Sequence, residues 1–332
     1  MKKTGRNLRV GVIGVGTMGQ HHVRIVSQSP GVSPVGFHDP DASRSAEICL
    51  RHGCECFDTV EALLDKSDAV SVAAPTSLHL KIGEQCLAKG IHVLMEKPLA
   101  DSIEAASRLV ELARRTGVVL AVGHIEAHNP AVAALMEMLQ REPEEIVSID
   151  ARRLAPFDGS RCLDVDVLYD LLVHDVDLAL CIANSPAIRV SAAGRPVFSK
   201  QIDVAHARIE FENGAIAVFW TAKCSPRKVR SLTVTTPRRF LVADTLSSSL
   251  TVYISEQLPA MADGVCLMGE IRREEVPVPD EEPLRREFED FFSAIREGTR
   301  PLVDGDRALN ALHALGMIAA SIAEGGREIQ GH

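Results

Sequence analysis

The chain has 332 residues, of which 46% are hydrophobic and 24% charged, and its formal net charge is −9 at pH 7. This length accommodates two domains with separate cores, while the negative charge argues against nucleic acid, because phosphate binding normally requires a basic surface. No apolar run approaches the roughly 18–20 residues that span a bilayer, and the eight scattered cysteines are typical of reduced thiols. We therefore expect a cytoplasmic protein with neither a membrane nor a nucleic-acid partner.

The first 124 residues alternate short apolar runs with longer amphipathic stretches. The apolar runs are rich in Val and bounded by Gly, Pro or Asp, and they predict buried strands at Leu8–Ile13, Val32–Phe37, Ala69–Ala73, His92–Met95 and Val118–Val122. The amphipathic stretches predict helices at Thr17–Ser27, Ala42–His52, Val60–Leu64, Leu78–Lys89 and Ser102–Arg115. This alternation indicates a doubly wound parallel sheet, with helices on both faces, over residues 1–124.

From residue 125 onward the pattern changes to mostly strands. Strands are predicted near Ile146–Arg153 and at Arg189–Gly194, Val204–Glu212, Ala215–Lys223, Val229–Thr236 and Leu250–Ser255. Helices are predicted at Ala131–Gln140, Val167–Ala183, Leu284–Glu297 and Asp306–Glu324. Asn213-Gly214 is a strong hairpin signal, so residues 125–332 are expected to form an α+β domain with a mostly antiparallel, open sheet.

A glycine-rich loop joins the first strand to the first helix. Gly14 permits a tight turn, Gly16 lets the backbone approach a pyrophosphate, and Gly19 lets the helix pack near the strand. The loop residues Thr17 and Met18 lead into the helix N-terminus, whose N–H groups favour phosphate. Asp39, about 20 residues beyond the loop, is placed to accept hydrogen bonds from a ribose. The context predicts a dinucleotide site, and the charge of Asp39 favours NAD over NADP.

Three further motifs follow in the chain. They are Ala74-Pro75-Thr76-Ser77-Leu78-His79, then Glu96-Lys97-Pro98 after a strand, then Asp170-Leu171-Leu172-Val173-His174 on a helix. Together with the glycine loop, they resemble the Gfo/Idh/MocA oxidoreductases over nearly the whole chain. The resemblance implies a Rossmann domain followed by an α/β domain used for substrate binding and oligomerisation. It also implies hydride transfer between a nicotinamide cofactor and a secondary alcohol of a sugar, cyclitol or nucleotide sugar.

The resemblance assigns site residues one by one. Lys97, Asp170 and His174 match the catalytic residues of the family. The segment of Ala74, Pro75, Thr76 and His79 matches the loop over the nicotinamide half of the cofactor, with Glu96 beside Lys97.

Histidine suits proton transfer near neutral pH because its ordinary pKa is about 6.5, and a lysine can stabilise negative charge on the reacting oxygen. Asp170 and His174 are one helical turn apart and predicted to share a face. Asp177 is an alternative orienting partner of His174.

The substrate is less sharply indicated. The segment Gly123–Pro130 looks like one found in a branch of the family that acts on UDP-linked amino sugars, although Ala127 and His128 stand where that branch has Arg and an aromatic residue. Arg152, Arg153 and Arg161 could neutralise a diphosphate; alternatively, they are arginines of a sheet edge or a subunit interface.

Two expectations concern partners. No His, Cys or carboxylate cluster has the spacing of a metal site, so no catalytic metal is predicted. The apolar positions of Val204–Phe211 and Ala215–Trp220 would be exposed in a monomer, which favours a homo-oligomer, either a dimer or a tetramer. A non-catalytic, dinucleotide-sensing protein of the same fold is the alternative function.

Overall fold

A computed structural model of the chain describes residues 6–157, 166–255, 260–262, 265–267 and 270–331. Its contacts divide the chain into two units. The first consists of the residues up to Ile125 together with Glu282–Leu309, and the second of Glu126–Glu281 and Asn310–His332.

The first unit is built on a parallel sheet. Its elements up to residue 125 are β1 (Leu8–Ile13), α1 (Gly19–Gln28), β2 (Val32–His38), α2 (Ala42–His52), α3 (Val60–Leu64), β3 (Ala69–Val72), α4 (His79–Ala88), β4 (His92–Glu96), α5 (Ile103–Thr116) and β5 (Leu120–Gly123). The strand order is β2-β1-β3-β4-β5, and every pair is parallel. The predicted Rossmann architecture is confirmed.

The helices of this unit begin in two different ways. The side chains of Asp41, Thr59 and Ser102 accept backbone N–H groups at the starts of α2, α3 and α5. In contrast, α1 has Met18 at its N-cap and no side-chain cap. No side-chain cap therefore competes with an anion for the start of this helix.

The second unit is built on a larger, mixed sheet. Its elements are α6 (Pro130–Arg141), β6 (Ser148–Leu154), α7 (Val173–Ala183), β7 (Ala187–Arg195), β8 (Val204–Phe211), β9 (Ile216–Ala222), β10 (Val229–Thr235), β11 (Arg239–Asp244), β12 (Ser249–Ser255), β13 (Ala260–Ala262), β14 (Val265–Leu267) and β15 (Ile271–Val276). After α8 (Pro283–Glu297) and α9 (Gly305–Ala323), the chain ends with β16 (Ile329–Gln330). The main sheet has the order β15-β12-β11-β10-β6-β9-β8-β7-β16.

Among the described pairs of this sheet, β6 with β9 is parallel and the others are antiparallel. The prediction of a mostly antiparallel sheet is confirmed. The hairpin between β8 and β9 turns at Asn213-Gly214, where Gly214 has a φ of +88°. Buried and exposed residues alternate along β9, with Ala217 and Phe219 inside and Val218 and Trp220 exposed. One face of the sheet packs on α6 and α7, which contact β11 and β6.

Helix α8 returns to the first unit late in the chain. Its apolar side chains Leu284, Phe288, Phe291 and Phe292 join a buried core cluster that includes residues of β1, α1 and β2. The cluster explains why residues 282–309 belong to the first unit even though they follow the second in sequence. The sequence pattern predicted this helix but not that it packs in the core of the first unit.

The structure also contains elements that the sequence did not indicate, namely the strands β11, β13, β14, β15 and β16. Within the part of the chain that the structure describes, no helix is long and apolar enough to cross a membrane.

Candidate active site

The glycine loop closes tightly on the first helix. Gly14 has a φ of +84°, and its N–H donates to the carbonyl of His38 at 2.8 Å. A Cβ on Gly19 would lie 1.9 Å from the Gly14 carbonyl oxygen, so only glycine fits there. A Cβ on Gly16 would meet no atom closer than 3.9 Å. The backbone at Gly16 is therefore accessible to a ligand, as a phosphate loop requires.

Asp39 connects this loop to the end of β2. Its Oδ2 accepts the Val15 N–H at 2.8 Å, and its Oδ1 accepts the Asp41 N–H at 2.9 Å. The guanidinium of Arg44 lies 4.0 Å from the same carboxylate, although the Arg44 side chain is 46% exposed. The carboxylate is thus at the position where Rossmann domains bind a ribose, with one arginine beside it.

The second loop, Ala74–His79, is tied to the Glu-Lys-Pro segment by a buried histidine. His79 is 1% exposed. Its Nε2 lies 2.9 Å from the carbonyl oxygen of Ala74, and its Nδ1 lies 3.0 Å from that of Pro98. Since both segments follow parallel neighbouring strands, the predicted cofactor residues lie at one edge of the sheet. The sequence motif identified His79, but not that it bridges the two loops.

Lys97 follows directly on the last residue of β4. Its side chain is partly buried, and the Lys97-Pro98 peptide is cis. The Lys97 N–H donates to Oε2 of Glu96 at 3.1 Å. Leu99 and Ala100, which follow it, are buried and anchor the backbone after the lysine.

In the second unit, the Asp170–His174 motif lies where the helical hydrogen bonding changes. Leu168–Leu172 forms a π-helical turn that continues into α7, and such turns occur frequently at functional sites. The carboxylate of Asp170 pairs with the ammonium of Lys223 at 3.3 Å. His174 is 8% exposed and Asp177 is 1% exposed. The sequence did not suggest Lys223, because it follows β9, far from the motif in the chain.

Arg153 has a different environment from the one predicted. Its guanidinium is buried and donates to Asp175 from Nε and Nη2, at 3.0 and 2.7 Å, and to Glu126 from Nη1 at 2.8 Å. Arg230 contacts the same Glu126 oxygen at 3.0 Å. The predicted contact between Arg153 and a substrate diphosphate is not supported by this geometry, because all three of its nitrogens already donate to carboxylates. The residue instead fixes the start of α7.

The charges of this cluster affect one another. Burial, opposed by the Arg153 guanidinium, raises the pKa of Asp175 above its ordinary value. Burial would also raise the pKa of Glu126, but Arg153 and Arg230 together lower it. The pKa values of the two carboxyl groups that contact Arg153 are therefore shifted in opposite directions.

The remaining predicted arginines divide into two cases. Arg152 alternates with Arg153 along β6 and points to the exposed side, where it pairs with Asp150 at 3.0 Å. Arg161 lies outside the described residues. Within the described parts of the chain, no group of three or more His, Cys, Asp or Glu side chains is arranged to hold a metal ion.

Comparison with protein families agrees with this description. Residues 8–124 match the oxidoreductase family with an NAD-binding Rossmann fold named GFO_IDH_MocA, and residues 142–240 match the GFO/IDH/MocA C-terminal domain. The chain belongs to the Gfo/Idh/MocA family of oxidoreductases.

Individual relatives extend over most of the chain. UDP-N-acetylglucosamine 3-dehydrogenase of Acidithiobacillus ferrooxidans is 33% identical over 302 residues, which cover 90% of this chain and 92% of the relative. Its solved structure superposes with a TM-score of 0.88 over 96% of this chain and 99% of that one. The scyllo-inositol 2-dehydrogenase (NAD(+)) of Bacillus subtilis is 25% identical over 97% of this chain and 96% of its own. These relatives identify the chain as a dehydrogenase that acts on CH–OH groups.

Proposed function

We propose that this protein is an NAD-dependent dehydrogenase of nucleotide sugars and that its substrate is a UDP-linked amino sugar. The observation that carries the proposal is the similarity to UDP-N-acetylglucosamine 3-dehydrogenase, which extends over 90% of this chain. The inositol 2-dehydrogenase of Corynebacterium glutamicum strain R, in contrast, is 28% identical over 64% of this chain. The segment Gly123–Pro130 supports the same choice, although Ala127 and His128 depart from the pattern of the UDP-sugar branch.

The first unit has the features of a cofactor site. The accessible backbone at Gly16 and the uncapped N-terminus of α1 fit a pyrophosphate. The carboxylate of Asp39 fits ribose hydroxyls and disfavours the 2′-phosphate of NADP. Arg44 lies beside Asp39, yet Asp39 and Asp41 already surround its guanidinium. We therefore favour NAD, which when bound exchanges a hydride with the substrate carbon.

We assign the proton chemistry to the residues that match the family's catalytic motifs. Lys97 donates a hydrogen bond to the reacting oxygen and stabilises its negative charge. His174 takes the hydroxyl proton during oxidation and returns it during reduction. Asp170, held by Lys223, contacts the substrate hydroxyls or orients His174. Asp177 is the other candidate for that orienting role, and Ala74, Pro75, Thr76 and Glu96 are assigned to the cofactor loops.

The substrate diphosphate requires cationic partners. Arg152 keeps that assignment because its side chain is 53% exposed, and Arg161 remains a prediction. Arg153 is reassigned to the support of α7.

We also propose that the exposed sheet face of the second unit mediates homo-oligomerisation. Val218, Trp220 and Phe240 are 41%, 40% and 45% exposed, and all lie on the strands β9 and β11. Burial of such a face against a second copy removes apolar surface from water.

A ligand panel tests the substrate assignment. UDP-N-acetylglucosamine, UDP-glucose, free N-acetylglucosamine and myo-inositol are each added with NAD, and both the melting temperature and the absorbance of NADH are followed. We expect UDP-N-acetylglucosamine to give the largest melting shift and the fastest NADH formation, since a ligand of the folded state stabilises it. Faster oxidation of inositol than of either UDP-sugar would contradict the proposal.

A further inference from the structure

The core of the first unit contains a row of polar side chains, of which only Glu96 belongs to a cofactor motif. His22 of α1, Ser71 of β3 and Glu287 of α8 are 1%, 0% and 2% exposed. The side chain of Glu96, at the end of β4, is 13% exposed. Four elements thus each bring one polar group into an otherwise apolar core, where an unsatisfied group is costly.

Three of these side chains form a continuous chain of contacts. His22 Nδ1 lies 2.7 Å from Ser71 Oγ, and His22 Nε2 lies 3.1 Å from Oε1 of Glu96. The second of these contacts is a close approach of a ring nitrogen to a carboxylate oxygen, and it contributes to the lowered pKa of Glu96. The second oxygen of Glu96 accepts the backbone N–H of Lys97. His22 is therefore connected to the main chain of the proposed catalytic lysine through a single carboxylate.

Packing leaves this carboxylate little freedom. The His22 ring meets the edge of Phe288, with ring centroids 5.2 Å apart. On the other side, a Cβ on Gly123 would lie 3.1 Å from Glu96 Oε2, closer than an ordinary contact. A carboxylate that accepts the Lys97 N–H with one oxygen and contacts His22 with the other can hold this backbone amide in one position.

Glu287 completes the cluster without adding a second charge. Burial and the negative charge of Glu96, with a smaller contribution from Asp290, raise the pKa of Glu287 well above its ordinary value. For Glu96, burial alone would raise the pKa, but His22 and Lys97 together lower it. Among the described residues, Oε1 of Glu287 has no hydrogen-bond partner. The pKa values of the two neighbouring carboxyl groups are thus shifted in opposite directions, and Glu96, which favours the charged form, is the one that contacts His22 and Lys97.

We infer that His22 is a positioning residue for catalysis: through Glu96 it fixes the backbone of Lys97, and so the place from which the lysine reaches the substrate. The inference rests on the proposed role of Lys97. A reacting group displaced by about 1 Å loses about 10²-fold in rate, so a support of this kind affects turnover without touching the substrate.

The experiment replaces His22 by two amides that each keep one of its contacts. The amide nitrogen of glutamine reaches about as far as Nε2, so His22→Gln retains a donor to Glu96. The shorter amide of asparagine corresponds to Nδ1, so His22→Asn retains only the contact with Ser71. His21→Asn, an exposed neighbour on α1, is the control.

Hydrogen exchange of the Lys97 amide, measured by NMR on the full chain without substrate, reports the Glu96 contact directly. We expect the protection of this amide to fall about tenfold or more in His22→Asn and to remain near wild type in His22→Gln and His21→Asn. The Val93 amide of β4, which donates to the carbonyl of Val119 just before β5, is the reference and should not change. Unchanged protection of Lys97, or an equal loss at Val93, overturns the inference.

Turnover of UDP-N-acetylglucosamine with NAD links the contact to catalysis. We expect kcat to fall about 10- to 100-fold in His22→Asn, with the KM for NAD unchanged and with substantial recovery in His22→Gln. Lys97→Met separates the two proposals. If it keeps full turnover, the role of Lys97 is contradicted; if it is inactive while His22→Asn is normal, only the positioning role fails. If the wild type does not oxidise this substrate, the substrate assignment fails, and hydrogen exchange still decides the inference.

Discussion

The two units place a buried carboxylate next to the proposed catalytic side chain in different ways. In the first unit, Glu96 precedes Lys97 and is held by His22. In the second, Asp175 follows His174 and is held by Arg153. A guanidinium stays charged at every relevant pH, whereas the first cluster includes Glu287, whose pKa is raised by burial and by the charge of Glu96. The cation of the second cluster is therefore permanent, whereas the first cluster contains an acid that can ionise as pH rises.

Removal of the proposed catalytic side chains tests whether they are the reacting groups that these carboxylates adjoin. We expect Lys97→Ala and His174→Ala each to lower turnover about 10²–10⁴-fold, because proton transfer and charge stabilisation at the reacting oxygen are lost. Affinity for NAD, measured by fluorescence titration, should stay nearly normal. His313→Ala, an exposed histidine of α9, is the control. Near-normal turnover in either active-site variant removes that residue from the mechanism.

Replacement of the permanent cation tests the second cluster. Arg153→Met leaves Asp175 and Glu126 buried without their shared partner, and we expect the free energy of unfolding to fall by about 3–5 kcal/mol. Urea unfolding followed by the fluorescence of Trp220, the single tryptophan, reports on this unit. Arg152→Met, one residue away on the exposed side, should change it by less than about 0.5 kcal/mol. Equal effects of the two substitutions would contradict a buried support.

Titration of the first cluster distinguishes it from the second. Two acidic groups act on Glu287, namely Glu96 at the end of β4 and Asp290 on the same helix. His22 of α1 contacts Glu96. The raised pKa of Glu287 means that the folded state holds a proton which the unfolded chain releases above about pH 4.5. Stability is therefore complete below that pH and falls by about 1.4 kcal/mol per pH unit as pH rises toward the folded pKa.

Glu287→Gln should remove this loss. Its stability relative to wild type, from urea unfolding, should increase steadily between about pH 5 and pH 7. Glu289→Gln, exposed on the same helix, should show no such increase. A pH-independent difference for Glu287→Gln would mean that the acid is ionised in the folded state.

The smallest expected effect concerns the backbone rather than side chains. Because a Cβ on Gly16 meets no protein atom within 3.4 Å, Gly16→Ala should leave the melting temperature of the NAD-free protein nearly unchanged. The added methyl group should obstruct the pyrophosphate and weaken NAD binding about tenfold, or about 1.4 kcal/mol. Calorimetric titration measures the affinity. Unaltered binding would mean that the dinucleotide does not approach the chain at this glycine.

The sequence indicated the first unit more fully than the second for a physical reason. Phosphate binding by backbone groups requires glycine at fixed positions, so the phosphate loop could be predicted from Gly14, Gly16 and Gly19. The bounds of β1, α2 and α3 were predicted as observed, since each coincides with a change between apolar and polar periodicity.

The second unit depends on tertiary contacts that carry weaker local signals. The strand β15 reads Ile-Arg-Arg-Glu-Glu-Val and has no apolar face, because it lies at the edge of the sheet. The alternation along β6 could have separated the buried Arg153 from the exposed Arg152, but the carboxylates that pair with Arg153 come from residues 22 and 27 positions away. Such pairings follow from the fold and cannot be read from one segment.

The return of α8 to the first unit also determines when that unit can be completed during synthesis. Phe288, Phe291 and Phe292 belong to the core that contains β1 and β2. A ribosome extends a chain by about 5–20 residues per second, so the N-terminal part of the first unit waits through the translation of residues 126–281 before its core is filled. A nascent chain that stops short of residue 282 presents an unfinished Rossmann core, and we expect chaperones to be needed most during that interval.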